Sequence, residues 1–393
     1  MKLRPSPSVS ALIVVSAAFF TDTILYYVLV PLLPYYQKTY GLTQTDIGIL
    51  FGCYAAALLL GTIPIGKLGD IVGRRKMMLW GLFGLWGTTF LFAFANSFPL
   101  LVFARVLQGL SATATWTSGM ALVADHWPAK HRGKAMSTCF AFANLGVLLG
   151  PPTSGYLSEN WSVRMPFFAA AVLALVDAVL RVCLLQDKPK ENVAIIPIRT
   201  LLKNRNICLY VGVMAMGSGL WAVLESVLPT HFDLRHWSPS DIGLCFAFAA
   251  LAHTLTSPLA GAMADKFSRK KMIVAGLLFT TVLLPAPAFT NDALPTFAAM
   301  VGLGLVSTLV ASPVSPAVTS EVDSIGAGAG GYSSAFGMIN LAYAGGMMLG
   351  PLLGGIGVDW IGIESCLVLF GLGFGVYALI IYRLLPNRVV VVH

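Results

Sequence analysis

Asp22 and Glu225 each carry a carboxylate inside a long apolar run of this 393-residue chain. Asp22 stands near the middle of LIVVSAAFFTDTILYYVLVPLLP, residues 12–34. A charge held at that depth in a bilayer costs ~3 kcal/mol or more unless it faces water or meets a partner. On a helix, Phe19 and Tyr26 share the face of Asp22 at i−3 and i+4, and Trp221 and Ser218 share that of Glu225 at i−4 and i−7. An acid walled by aromatic rings holds an organic cation through charge and cation–π contact. A carboxylic acid withdrawn from water also exchanges protons readily, so either acid can serve both tasks. The competing explanation is two acids kept neutral or paired for packing.

Other polar groups interrupt apolar runs. Arg105 stays charged at any physiological pH, with Gln108 near it on the same helix. It can pair with Asp22, hold a structural contact, or face a substrate's opposite charge. His253 titrates near neutrality when free, though a lone core histidine is the plainer reading. Asp177 and Arg181 stand at i,i+4, the spacing of a local ion pair. Asn144 and Asn340 can donate hydrogen bonds into a cavity. The six cysteines are scattered at no metal-ligand spacing, and no metal site, cofactor or catalytic triad is expected. The glycine run 326–331 lacks the Lys-Ser/Thr ending of a phosphate loop, which removes ATP as an energy source. Nothing here predicts an enzyme.

These groups must be positioned by membrane helices. The chain is 57% hydrophobic and 11% charged, against about 25% charged in soluble domains, and its mean hydropathy is +0.79. The fold class expected is an all-α integral membrane protein of twelve helices, over 9–34, 44–66, 76–95, 98–124, 134–158, 164–185, 206–231, 240–264, 270–290, 293–317, 328–357 and 361–384. Lys2 and Arg4 ahead of an apolar run imitate a signal peptide. That run is too long for one and lacks a clear cleavage site, so a retained first helix is expected. The basic stretch 186–205 divides an N-terminal six-helix bundle, 1–185, from a C-terminal one, 206–393. With the N-terminus inside, the inner loops and tails hold 20 of the 25 Lys and Arg and the outer loops three, Lys38, Arg164 and Arg235. That bias puts both termini in the cytoplasm. It also explains the net charge of +8 by topology, so no nucleic-acid partner is expected. Asp22 then falls near mid-depth and Glu225 in the outer half.

The halves repeat. YGLTQTDIG, 40–48, returns as HWSPSDIG, 236–243, with Asp46 and Asp241 195 positions apart. GKLGDIVGRRK, 66–76, returns as GAMADKFSRKK, 261–271, with Asp70 and Asp265 again 195 apart. LGPPTSG, 149–155, returns as LGPLLGG, 349–355, at an offset of 200. Two parallel six-helix repeats with a site between them near mid-membrane is a transporter plan.

These segments resemble the major facilitator superfamily. GKLGDIVGRRK is similar to its loop 2–3 signature, ARVLQG to that of its fourth helix, and GVLLGPPTSG to the helix-5 signature of its antiporters. Further similarity, through ARVLQGLSATATWTSGMALVAD, GVLLGPPTSGYL, LVDAVL and VLESVLP, extends to the vesicular amine transporters and bacterial drug–proton antiporters. The resemblance implies an inner latch of Gly66, Asp70, Gly73, Arg74 and Arg75, repeated in Asp265 and Arg269, with Arg132 a candidate partner of Asp70. It implies a pliable seam at Gly146, Gly150, Pro151, Pro152 and Gly155, packed on helix 8 and associated with exchange. It implies substrate contacts from Asp22, Tyr26, Phe19, Trp221, Ser218, Asn340 and Asn144, and proton coupling by Asp22, Glu225, Arg105 and His253. Where the amine transporters carry further acids and a lysine, this chain has Ala311, Asn340 and Tyr54, and its first outer loop, 35–43, is short.

The expectation is a monomeric, proton-coupled antiporter of the plasma or inner membrane that exports cationic amines or amphipathic cationic drugs. The alternatives are a proton symporter or exporter of a neutral or anionic solute such as a sugar, with Arg105 as counter-charge, and a receptor-like protein that does not transport.

Overall fold

The computed structural model describes residues 6–185, 198–326 and 328–386; the side chains of 129, 130, 265, 328–330 and 333 lie outside that description. Lys2, Arg4, Lys130, Lys188, Lys190, Arg388, most of the linker and the Asp265 side chain therefore fall outside it. Among the described residues every long element is helical: α1 Pro7–Tyr40, α2 Gln44–Val72, α3 Arg74–Ala93, α4 Phe98–His126, α5 Ala129–Asn160, α6 Met165–Leu184, α7 Arg205–Leu234, α8 Pro239–Lys266, α9 Arg269–Phe289, α10 Ala293–Ser324, α11 Gly328–Ile361 and α12 Ile363–Leu384. Eleven are long and apolar enough to cross a membrane. The twelfth, α3, opens on Arg74, Arg75 and Lys76 and carries three glycines, which lower its hydropathy. Large apolar side chains point outward along these helices, among them Leu60, Ile71, Val282 and Leu294. In water such a surface would aggregate; in lipid it is solvated.

α1 runs beyond the predicted end at residue 34. It bends through a 3₁₀ turn, Val30–Leu32, and resumes at Leu33–Tyr40. Pro31 and Pro34 sit in the first positions of those segments, where their missing N–H costs nothing and their fixed φ starts a new turn. Gly41 then ends the helix in the left-handed region, φ 62°.

The helices divide into two contact units, each treated separately. One comprises Met1–Leu42, Cys53–Glu191 and His236–Ala247; the other comprises Thr43–Gly52, Asn192–Arg235 and Phe248–His393. Each unit thus takes in the first turns of a helix from the opposite sequence repeat.

The repeated motifs acquire a physical meaning here. In the second unit, Thr43 and Asp46 form a reciprocal capping box at the start of α2: Thr43 N and Oγ1 donate to Asp46 Oδ2 at 2.9 and 3.0 Å, and Asp46 N donates back to Thr43 Oγ1. In the first unit Ser238 and Asp241 build the same box on α8, at 3.1 and 3.0 Å. A few residues on, Gly48 lies against the Pro351 carbonyl and Gly243 against the Pro151 carbonyl; a Cβ at either would collide with that oxygen. The acids that close α5 and α11 finish the arrangement. Asp359 accepts from Gln44 N, Thr45 N and Thr45 Oγ1 at 3.1, 2.8 and 2.6 Å, and Glu159 accepts from Ser240 N at 3.2 Å. A carboxylate at a helix N-terminus binds otherwise orphaned N–H groups and meets the positive end of the dipole.

Candidate functional site

The first unit assembles its polar groups around α1. Asp22 is 2% exposed, and its Oδ2 accepts a hydrogen bond from Trp116 Nε1 of α4 at 2.6 Å. Its Oδ1 is buried with no hydrogen-bond partner. The Trp116 indole stacks on Phe19, one turn back from Asp22, with centroids 3.9 Å apart and planes at 18°. Phe140 of α5 closes on the same pair, its centroid 6.1 Å from Trp116. The result is a buried carboxylate with one unpartnered oxygen beside three aromatic rings.

Tyr26 faces another group. With Tyr54 and Phe92 it surrounds Arg105, whose guanidinium carbon lies 5.1, 5.7 and 5.6 Å from the three ring centroids. Arg105 Nη1 also donates to Gln108 Oε1 at 2.8 Å. This arginine is fully buried, and the aromatic faces solvate its charge in part. The geometry holds Arg105 in its own box while Asp22 bonds Trp116. Tyr54 of α2 supplies one wall.

A third polar group is an ion pair. Arg181 Nη2 and Nε meet Asp177 Oδ2 at 2.6 and 3.0 Å, with the two side chains 0% and 1% exposed. Arg181 Nη1 reaches across to the Met78 carbonyl at 2.6 Å and to Thr115 Oγ1. This is the local pair the i,i+4 spacing predicts, and both members lie within electrostatic reach of Asp22. Asn144 is half-buried on α5.

The seam residues of α5 pack on two neighbours. A Cβ at Gly146 would come 2.8 Å from Thr23 Cβ of α1, and one at Gly150 would come 2.9 Å from Tyr27 Cβ. Gly155 abuts the Pro239 carbonyl at the start of α8. Pro151 and Pro152 lie inside the helix, and the Pro151 carbonyl is the one Gly243 approaches.

At the α2–α3 junction Gly73 adopts φ 101°, which a side chain disfavours, and Gly66 has open space around it. Arg74 meets Asp70 at 3.4 Å but is held closer, at 2.7 Å, by Asp125 of α4. Arg75 donates to the Val182 carbonyl. Sequence reasoning proposed Arg132 for Asp70 and overlooked Asp125. The contact has a counterpart in the second unit: Arg269, 195 positions after Arg74, donates to Ser320 at 2.7 Å, and Ser320 lies 195 positions after Asp125. Arg269 also binds the Pro316 carbonyl at 2.9 Å.

In the second unit Glu225 is 2% exposed on α7, with Tyr343 of α11 within its electrostatic reach and the half-buried Trp221 one turn away. Asn340, one turn before Tyr343, is exposed. Ser218 is buried where Gly346 of α11 meets α7, its hydroxyl bonded back to the Ala215 carbonyl; in this structure it serves helix packing. His253 Nδ1 pairs with Ser307 Oγ across α8 and α10 at 2.8 Å. No metal-binding cluster of His, Cys, Asp and Glu occurs among the described residues.

Comparison with known proteins identifies the family. The profile of the Major Facilitator Superfamily matches residues 15–238 and 207–392. The chain belongs to that superfamily. It is 29% identical over 344 residues to the human chromaffin granule amine transporter, covering 86% of this chain and 65% of that protein's length. To a probable vesicular acetylcholine transporter of Danio rerio it is 28% identical over 400 residues, covering 95% and 79%. Among solved structures, a bacterial homolog to the human lysosomal transporter Spinster, in an inward-facing and unoccupied conformation, superposes with TM-score 0.82 over 97% of both chains at 15% identity. That likeness bears on the fold alone. The major facilitator fold, a multi-pass membrane location and a transport role rather than an enzymatic one follow from this membership. The residue that the sequence reading missed beside Asp22 is Trp116; its place eleven residues after Arg105, three turns along one helix face, was the available signal.

Proposed function

We propose that this superfamily member is a proton-coupled antiporter that exports cationic amines or amphipathic cationic drugs by alternating access. One observation carries the reading: a buried carboxylate, Asp22, keeps one oxygen without a protein partner beside the rings of Phe19, Trp116 and Phe140. Such a group is stable with either of two occupants, a proton or a cation. The relatives named for amines and acetylcholine support the choice of a cationic solute.

In this reading Asp22 takes the amine and Glu225 couples the proton, with the chain organised as two six-helix halves, 1–185 and 206–393, joined by 186–205. Protonation and amine binding compete for buried carboxylate, so the two ligands alternate. The inward proton gradient then drives the amine out. In this reading the lysine and arginine bias orients both termini to the cytoplasm, and the protein works as a monomer in the plasma or inner membrane. Where the resemblance implies further acids, this chain has Ala311 and Asn340. Asp22 and Glu225 are therefore expected to carry most of both tasks.

The test is proton release. Adding a monoamine to purified protein in weakly buffered detergent should liberate protons in proportion to amine bound, and Asp22→Asn should abolish both binding and release. Amine binding of unchanged affinity in Asp22→Asn would reject the assignment.

A further inference from the structure

We infer that Trp116 is a positioning residue that leaves Asp22 a single unpartnered oxygen and thereby selects an ammonium head group over a guanidinium. The inference rests on the proposal that Asp22 receives the cation.

A carboxylate facing a cavity can accept from a planar guanidinium through both oxygens at once, the paired arrangement that makes such contacts strong. Asp22 is not available in that form. Its Oδ2 is taken by the Trp116 indole N–H at 2.6 Å, a short bond. Its Oδ1 is buried and has no partner. An ammonium is a compact charge whose three N–H groups rotate about one bond, so it can aim one at a single acceptor and turn the others toward the ring faces, while a rigid guanidinium fork loses one of its two parallel N–H···O bonds. The selection works through an unmade hydrogen bond on the disfavoured ligand, the strongest basis for discrimination between similar polar groups.

Trp116 is fixed for this task. Phe19 stacks on its face at 3.9 Å, and Phe19 is itself fully buried on the helix that carries Asp22. Phe140 leans on the same rings at 6.1 and 6.2 Å. The indole therefore cannot swing off Oδ2 without breaking a stacked pair. The charged groups near Asp22 are Arg181 and Asp177, already paired with each other at 2.6 Å. Neither replaces the indole as a donor to Asp22.

The experiment compares two probes with one body and two heads, phenethylamine and phenethylguanidine, as competitors of a labelled amine on the full chain in detergent. Wild type should bind the ammonium at least tenfold more tightly. Trp116→Phe keeps a stacking ring and removes the donor, so it should cut that preference by about tenfold, mainly by improving the guanidinium. A wild type that prefers the guanidinium overturns the inference whatever the variant does. So does a Trp116→Phe protein that binds amine with the head-group ratio unchanged. Asp22→Asn separates the two levels of the argument. If it leaves phenethylamine affinity intact, the assignment of Asp22 to the amine fails; if it abolishes binding while Trp116→Phe leaves the ratio unmoved, only the role of Trp116 fails.

Discussion

Breaking the Asp177–Arg181 pair should destabilise the protein far more than removing it. Both side chains are withdrawn from solvent, 0% and 1% exposed. The two nitrogen contacts converge on one carboxylate oxygen, at 2.6 and 3.0 Å, and the other oxygen is already without a partner. Asp177→Asn leaves a buried guanidinium without its counter-charge, among neutral acceptors only: the amide oxygen, the Met78 carbonyl and Thr115. Uncompensated buried charge costs about 3–5 kcal/mol, two decades or more in the folded-to-unfolded ratio. Arg181→Met strands the acid instead, at similar cost. Replacing both, as Asp177→Leu with Arg181→Met, removes the charges and their desolvation together, and such swaps are often neutral. The double variant should therefore be more stable than either single one. Unfolding in mixed micelles by titration with SDS measures all four corners of the cycle. Single substitutions that each cost under about 1 kcal/mol, or a double variant whose cost equals the sum of the two, would refute the reasoning. The pair also lies near Asp22, so the singles should move amine affinity in opposite directions. Asp177→Asn adds net positive charge and weakens cation binding, and Arg181→Met strengthens it.

Further outcomes follow from the contacts at the helix ends. Gly155→Ala drives a methyl into the Pro239 carbonyl and should cost ~1–3 kcal/mol in unfolding assays, whereas Gly133→Ala, with nothing nearby, should be neutral or slightly stabilising. Asp359→Asn removes a charged acceptor of three hydrogen bonds at the start of α2 and should lower stability by about 1 kcal/mol. Glu159→Gln, which loses the charge from a single 3.2 Å bond, should cost less in the same thermal-unfolding series. Arg105→Lys should fail to restore transport, because an ammonium lacks the flat guanidinium face that Tyr26, Tyr54 and Phe92 enclose.

Much of the fold was legible because membrane helices announce themselves through length and hydropathy, and repeats through spacing. The offset of 195 located Asp46 and Asp241, and the structure turns that pattern into two capping boxes. α1 continues to Tyr40, past the expected end at residue 34, because Pro31 and Pro34 fall in first turns, where a proline starts a helix rather than ending one. The site was legible in its charges and less so in its neutral partners. Asp22, Glu225 and Arg105 stand out in apolar runs because each is costly there. Trp116 does not, since a tryptophan in a membrane helix needs no special explanation. Periodicity put Tyr26 with Asp22, but a face shared along one helix does not say which neighbouring helix fills it. Here α4 brings Arg105 to Tyr26 and Trp116 to Asp22. Ser218 shows the same limit, being taken up by the close approach of Gly346.

The central claim is exchange of a proton for an amine, and flux across a sealed membrane tests it most directly. Protein reconstituted in proteoliposomes should move a labelled monoamine against its concentration when a pH gradient is imposed, with the amine travelling opposite to the proton. Asp22→Asn and Glu225→Gln should each abolish the driven component. Amine flux indifferent to the gradient, or driven flux that survives both substitutions, would contradict the account.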